Sequence, residues 1–440
     1  MAFAYLTFAQ AAAILAERLG DPGQVYFNQP NELNNAIVEA VRFFQSLTGS
    51  YKQSLAFQTA QDVNYYSLAS IAGSPVAYTV TDVEVINNVL AALLEPPLTP
   101  AWTGTGQFTF NQLQQSLQNR LNRFIGESGR QISQQIVAAS GELTTLPDAV
   151  LDVRRAGWTP QPPAPGSTPP ANPTYPLGFM DEWGAQAYLP DGSPDPIPAS
   201  YSVYGTGPLQ LRLIPPPLSA GNIDCVFVVA GPVVNLNPGS PVVLQIPDDL
   251  TAGLKWGVLA DVLGTDGPSR DYARAAYCEA RYQEYVQAAR IYPSVLIATI
   301  NNVTCGIGSI FDLDSYLPDW QLTTGAPSFV GLIGRHLACV GQTPDGVYGV
   351  GAIVCANAPV TGFMQVSRDA LDPLIDLAQH IASFKMGGAE FDGTTRLYQN
   401  FIAFAKSQNA RLEAIAFYKD QLEQPATKSD LLVPRMVAMR

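Results

Sequence analysis

Charge is scarce in this chain of 440 residues: Asp, Glu, Lys and Arg make up only 14% of it, against 47% apolar residues. A soluble protein with so few charges often hides part of its surface against partners, which favours an assembly subunit. Basic residues are the scarcer sign, 24 Lys and Arg against 37 Asp and Glu, for a formal charge of −13. No Lys/Arg run exists, which argues against wrapping of nucleic acid through counterion release. DNA passing an acidic wall without sticking is compatible with that charge.

Other absences narrow the chemistry. The five cysteines (Cys225, Cys278, Cys305, Cys339 and Cys355) form no C-x-x-C pair and are odd in number, so neither a zinc site nor a disulfide framework is signalled. They read as buried small hydrophobes. The two histidines, His336 in a predicted strand and His380 in a predicted helix, have no metal-ligand spacing and read as structural. There is no nucleophile elbow, no phosphate-binding loop and no helix-opening glycine fingerprint, and the clusters Gly306–Gly308 and Gly346–Gly351 read as turns. No cofactor, metal or catalytic residue is assigned. No run reaches the roughly 20 apolar residues of a membrane span, and the start Met-Ala-Phe-Ala-Tyr-Leu lacks a basic signal-peptide region. The expectation is synthesis and folding in the cytosol.

Carboxylate pairs exist without a setting for them. Asp248 and Asp249 stand at a helix start, where acids complement the helix dipole. Asp312 and Asp314 alternate on a predicted strand, as a solvated face does. Asn302-Val303-Thr304 has the form of a glycosylation site, with nothing to indicate secretion. Aromatic residues are scattered and do not interleave with Lys and Arg, so they read as core and interface material.

What is present is helical periodicity interrupted by β-rich stretches. Thr7 and Gln10 form a capping-box pattern ahead of Ala11, Ile14, Leu15 and Leu19, stopped at Gly20. A second helix carries Leu33, Ile37, Val41 and Phe44. Residues 53–68 are β-like, Thr81 and Glu84 open a third helix, and Leu113, Leu117, Leu121 and Phe124 mark a fourth. Short strands follow from Gln131 to Trp158. Thr159–Pro176, in which eight of eighteen residues are proline, reads as an extended linker. Beyond it come a strand through Leu209, Leu211 and Leu213, an apolar strand Asp224–Ala230, and a helical pair beginning at Ile246–Leu250 and split at Gly264–Ser269. A similar order recurs: strand residues near Leu332–Val340, a turn at Pro344-Asp345-Gly346, an apolar strand Val347–Ala356, and a helical pair from Ser367 to Arg411. Aligned without gaps, Asp248, Gly267, Tyr277 and Arg290 meet Asp369, Gly388, Tyr398 and Arg411, a candidate internal duplication.

The fold class expected is therefore α+β: N-terminal helical bundle elements with inserted β-rich modules and a duplicated β-plus-αα-hairpin unit. The domains expected are 1–130, helical; 131–290, a β-rich module with a helical hairpin; 291–411, a second such unit; and 412–440, a C-terminal arm. In the arm, Gln424–Arg440 would order only on a neighbour.

The runs Val153-Arg154-Arg155-Ala156-Gly157-Trp158-Thr159, Asp181-Glu182-Trp183 and Pro198-Ala199-Ser200-Tyr201-Ser202-Val203 resemble phage virion proteins of the neck and adaptor type. So do Leu213-Ile214-Pro215-Pro216-Pro217, Ile246-Pro247-Asp248-Asp249-Leu250, Lys255-Trp256-Gly257 and Arg274-Ala275-Ala276-Tyr277-Cys278-Glu279. The resemblance covers roughly residues 1–290. It implies a bundle of N-terminal helices and a C-terminal helical pair with a β-rich part inserted. It also implies a twelve-copy ring under the portal protein that lines the DNA channel, touches packaged DNA only transiently and non-specifically, and meets a downstream tail protein such as a nozzle, tube or fibre. Residues 291–411 exceed a small adaptor. A tail, nozzle or baseplate component binding fibres or host glycan is the alternative, and a tail enzyme degrading cell wall or capsule is the second.

Overall fold

The computed structural model describes residues 5–27, 32–58, 65–100, 107–129, 132–160, 175–188, 197–205, 207–267, 270–291, 295–300, 303–306, 328–331, 336–340 and 349–408. Most of the proline-rich stretch, the turn at Pro344, the pair Asp312/Asp314, Asn302 and the C-terminal arm lie outside the described residues. The fold is mixed α and β, with open sheets among the described residues. Two compact units are present: residues 1–121 with 232–440, and the inserted residues 122–231.

In the first unit the elements run α1 (Phe8–Arg18), α2 (Glu32–Thr48), β1 (Lys52–Gln58), β2 (Tyr65–Ser67), α3 (Asp82–Ala92) and the first part of α4 (Phe110–Ser128). α1 starts where the sequence says it should. Thr7 Oγ1 accepts from the Gln10 amide at 3.2 Å, and the Gln10 side chain accepts from the Thr7 amide at 2.9 Å, so two otherwise orphaned donors are satisfied. At α3 only the first half of such a box forms, the Glu84 amide donating to Thr81 Oγ1 at 3.3 Å. The apolar stripe of α2 buries Leu33, Ile37, Val41, Phe43 and Phe44.

The inserted unit takes the remainder of α4 and then β3 (Ile132–Ala139), β4 (Leu143–Thr145), β5 (Val150–Pro160), β6 (Tyr175–Pro176), β7 (Gly178–Phe179), α5 (Glu182–Tyr188), β8 (Ser200–Tyr204), β9 (Gln210–Ile214) and β10 (Gly221–Val229). Two four-stranded sheets form, in the orders β3-β10-β5-β6 and β4-β9-β8-β7. They share one core around Trp158, Tyr201, Leu211, Leu213, Ile223, Cys225 and Phe227. Period-two alternation explains it: Ile223, Cys225 and Phe227 leave β10 on one face, opposite Trp158, Ala156 and Val153 of β5. Gly221 sits where no side chain fits, since a Cβ there would lie 2.4 Å from Trp158 Cζ2.

The chain then returns to the first unit. A short 3-10 turn, Asp248–Leu250, precedes α6 (Ala252–Gly264), so the helix proper opens later than the apolar pattern from Ile246 suggests. α7 (Tyr272–Ile291) follows and packs on α6. Next come β11 (Val295–Ile300), β12 (Val303–Gly306), β13 (Ser328–Gly331), β14 (His336–Val340), β15 (Gly349–Cys355), α8 (Arg368–Ser383) and α9 (Gly388–Gly393), with further helix over 395–408. β1 pairs antiparallel with β15 in the register Lys52↔Cys355 to Gln58↔Gly349, and β11 lies on the other side of β15. β2 joins β14 instead. α2 packs against α1, α7 and α8, and α3 packs on α6.

Candidate functional site

The helical part of the first unit is held by paired charged side chains, among which Glu39, Lys255, Arg120 and Arg281 are buried. Glu39 on α2 accepts from Lys255 Nζ at 2.6 Å and from Trp256 Nε1 at 2.7 Å, both on α6. Lys255 and Glu39 side chains are 10% and 9% exposed, so each ion needs the other to offset its lost hydration. Arg120, near the middle of α4, donates to both oxygens of Asp261 on α6, at 3.0 and 2.5 Å, and to Glu279 on α7 at 2.5 Å. Burial works against the Arg120 charge, yet these bonds raise its pKa further above the usual guanidinium range. Ser116, one turn earlier, donates to the same Asp261 at 2.6 Å. The helices approach closely enough that a Cβ at Gly257 would lie 2.8 Å from Tyr282 and 2.9 Å from Arg120 Cδ.

A second buried group joins α7 to the helical residues after α8. The Arg281 guanidinium donates to Tyr398 at 2.8 Å and pairs with Glu284, while the rings of Phe43 and Tyr398 lie 4.6 and 4.7 Å from its carbon. Aromatic faces replace water around the remaining nitrogens. His380 lies alongside, between Tyr277 at 2.7 Å and Thr394 at 2.8 Å. Because Thr394 spends its hydroxyl hydrogen on the Phe391 carbonyl, Nδ1 of His380 carries the proton and Nε2 accepts from Tyr277. Burial, followed by the Arg281 charge, lowers the His380 pKa to about 3, so the ring is neutral and structural, as its spacing implies.

The acids at the helix starts prove to be anchors. Asp248 is 3% exposed and accepts from the Thr79 amide at 2.8 Å, the Thr79 hydroxyl at 2.6 Å and Asn357 at 3.2 Å. Asp249 accepts from the Ala358 amide at 3.1 Å. A helix-dipole role describes neither fully: they tie two distant segments to the base of α6. Asp82, at the first turn of α3, accepts from the amides of Asn235, Leu236 and Val242 at 2.8–2.9 Å and so moulds the loop that leads back from the inserted unit. Sequence reading gave Asp82 no role, and only its place between a capping Thr and Glu marks it.

Cys225, Cys278 and Cys355 are buried free thiols, and burial pushes the first two up to about 12. The side chains of Cys305, Cys339 and His336 lie outside the described residues, as do Asp312 and Asp314. Among the described residues, no group of three or more His, Cys, Asp or Glu is placed to hold a metal ion. No helix among them is long and apolar enough to cross a membrane.

The inserted unit presents its aromatic residues outward. Trp183 on α5 is 82% exposed and Phe179 on β7 68%. Asp181 caps α5, its carboxylate accepting from the Gly184 amide at 2.6 Å, so Trp183 is held on a defined turn, and Phe179 rests edge-on against Tyr201. Large aromatic side chains left in water mark surfaces that meet other proteins.

The first unit thus has helices joined by ion pairs, and the inserted β unit exposes Trp183 and Phe179. Residues 83–295 match the family model described as SU10 adaptor protein, so over that span the chain is similar to phage head-to-tail adaptors, structural proteins of the virion. The matched span runs from α3 through the inserted unit to the end of α7, so it contains Arg120, Asp261, Glu279, Lys255 and Trp183. No curated protein matches the chain.

Proposed function

We propose that this chain works as an adaptor, a homo-oligomeric ring of twelve copies in the neck, docked on the portal protein and receiving the downstream tail protein, with packaged DNA passing through its channel. The observation that carries this is the joining, within the matched span, of a frame held by Arg120–Asp261–Glu279 to a surface unit bearing Trp183 and Phe179, with Lys255 of that span paired to Glu39 outside it. A rigid frame keeps position in a ring under load. The aromatic surface supplies the contact with a neighbouring virion protein. A net charge of −13 suits a wall past which DNA slides without being held.

The proposal extends to residues 291–411 as a second β-plus-helix tier derived by duplication. It is supported by the order strand, then paired helices, in 221–291 and again in 349–408. The arm 412–440 completes the docking by ordering on a neighbour.

Cryo-electron microscopy of intact particles of the source virus tests the reading. A symmetric ring of this fold in contact with the portal is expected. Density confined to the distal tail would move the protein to a nozzle or baseplate station, where Trp183 and Phe179 would face a fibre or glycan.

A further inference from the structure

Sheet edges are where this molecule is least guarded. Among the described residues β1 pairs only with β15, and β3 only with β10, so each is the edge strand of its sheet. Natural edge strands are blunted by charge, proline, bulges or brevity, because an unpaired row of N–H and C=O groups recruits another strand. The part of β5 that its two-residue neighbour β6 leaves uncovered shows those devices: Asp152, Arg154 and Arg155 lie along it, and its register against β10 is broken between Val226 and Phe227 and between Val228 and Val229. β4 is only three residues long.

β3 has none of these devices. From Gln131 to Gly141 the sequence holds no charged residue and no proline, the strand is eight residues long, its pairing with β10 is continuous, and Ile136 is 70% exposed. β1 is similar over Lys52–Ala56, with Lys52 as its one charge and Gln53, Ser54 and Ala56 exposed. The register of β1 on β15 is likewise unbroken from Lys52 to Gln58.

We propose that copies of this chain join head to tail by β-strand addition, the β1 edge of one copy (Lys52–Ala56) pairing antiparallel with the β3 edge of the next. The inference rests on the ring reading and supplies its contact. A second copy is the occupant that the charges select. In a chain of net charge −13, most approaches of one copy to another oppose like charges, whereas these two edges are nearly free of charge. Orientation follows from the flanks. Antiparallel pairing brings Lys52 toward Glu142, just beyond the far end of β3, whose carboxylate also holds Arg212. Two different edges meeting give a heterologous contact, the kind that closes into a ring when its rotation permits.

The test is oxidative cross-linking of the full-length chain, as purified protein and in particles, with Ser54→Cys paired in turn with Ile136→Cys and Ala138→Cys. Wild-type and single-cysteine chains serve as controls for the native thiols. A ladder of covalent oligomers is expected from the double variants, and only a dimer from a mixture of the two single variants. Ile136→Lys, at an outward position, is expected to weaken self-association at least tenfold with an unchanged circular dichroism spectrum. A cross-link from Ile136→Cys alone would show β3 meeting β3 and overturn the head-to-tail contact. No ladder, with many copies per particle, overturns strand addition and leaves the ring standing. One copy per particle, or none, overturns both.

Discussion

Glu39 and Lys255 meet at 2.6 Å across 216 residues of sequence, and Trp256 donates to the same carboxylate. The pair joins an N-terminal helix to the helix that follows the inserted unit. Both ions are desolvated, so removing one leaves the other charged and unpaired in a buried site. Glu39→Ala is expected to lower unfolding stability by about 3–5 kcal/mol. Glu39→Gln, which keeps an acceptor for Trp256, is expected to lose less. Urea denaturation at neutral pH measures both: equal losses would show that the hydrogen bond to Trp256 adds nothing beyond the ion pair, and an unchanged Glu39→Gln would show that the ion pair adds nothing beyond the hydrogen bond.

His380 makes stability depend on pH. Its folded pKa, near 3, lies below the ordinary histidine value of 6.5, so the unfolded chain binds the extra proton first. The contribution is therefore whole above pH 6.5 and is lost as pH falls toward 3. The loss attributable to this ring between pH 7 and pH 5 is about 2 kcal/mol. His380→Asn should destabilise the protein at pH 7 yet show a smaller difference between pH 7 and pH 5 than the wild type. Parallel pH profiles of the two proteins would refute the assignment.

Gly221→Ala is expected to be severe for a change of one methyl group. The new Cβ would meet Trp158 at 2.4 Å and the Thr159 carbonyl at 2.7 Å, and the latter is backbone that cannot swing aside. Overpacking of this kind costs about 1–3 kcal/mol or more. Thermal melting followed by tryptophan fluorescence checks it.

Trp183→Ala is expected to separate folding from assembly. At 82% exposure the ring contributes little to the fold, and stability should change by no more than about 0.5 kcal/mol. Affinity for the neighbouring virion protein should fall by about 2 kcal/mol, roughly thirtyfold, if this ring anchors the contact. Melting temperature and co-sedimentation with isolated portal or tail complexes report the two effects separately.

Local structure was legible and long-range structure was not. The capping residues of α1 and the stripes of α2 and α4 fix those helices within a turn or so, because the signals lie within the segment itself. α5 escaped notice: seven residues around Trp183 are too few to show a period, and its cap, Asp181, looks like any surface acid. Asp248 and Asp249 resembled exposed helix-start acids because their partners, Thr79, Asn357 and Ala358, are more than 100 residues away. The same distance hid the partner of Glu39. The resemblance to adaptors was carried by turn and packing motifs, several of which enclose buried anchors: Asp248-Asp249, Lys255-Trp256-Gly257 and Cys278.

The pairing of β1 with β15 also sets a clock. Lys52 leaves the ribosome about 300 residues before its partner Cys355, which at roughly 5–20 residues per second is a wait of about 15–60 s. During that interval β1 lacks β15, and Gln45, which accepts from the Tyr51 amide and donates to the Ala356 carbonyl, lacks the farther of those two partners. Nascent chains of this protein thus carry a nearly uncharged strand without its β15 partner through most of their synthesis, open to premature pairing with a neighbouring nascent chain.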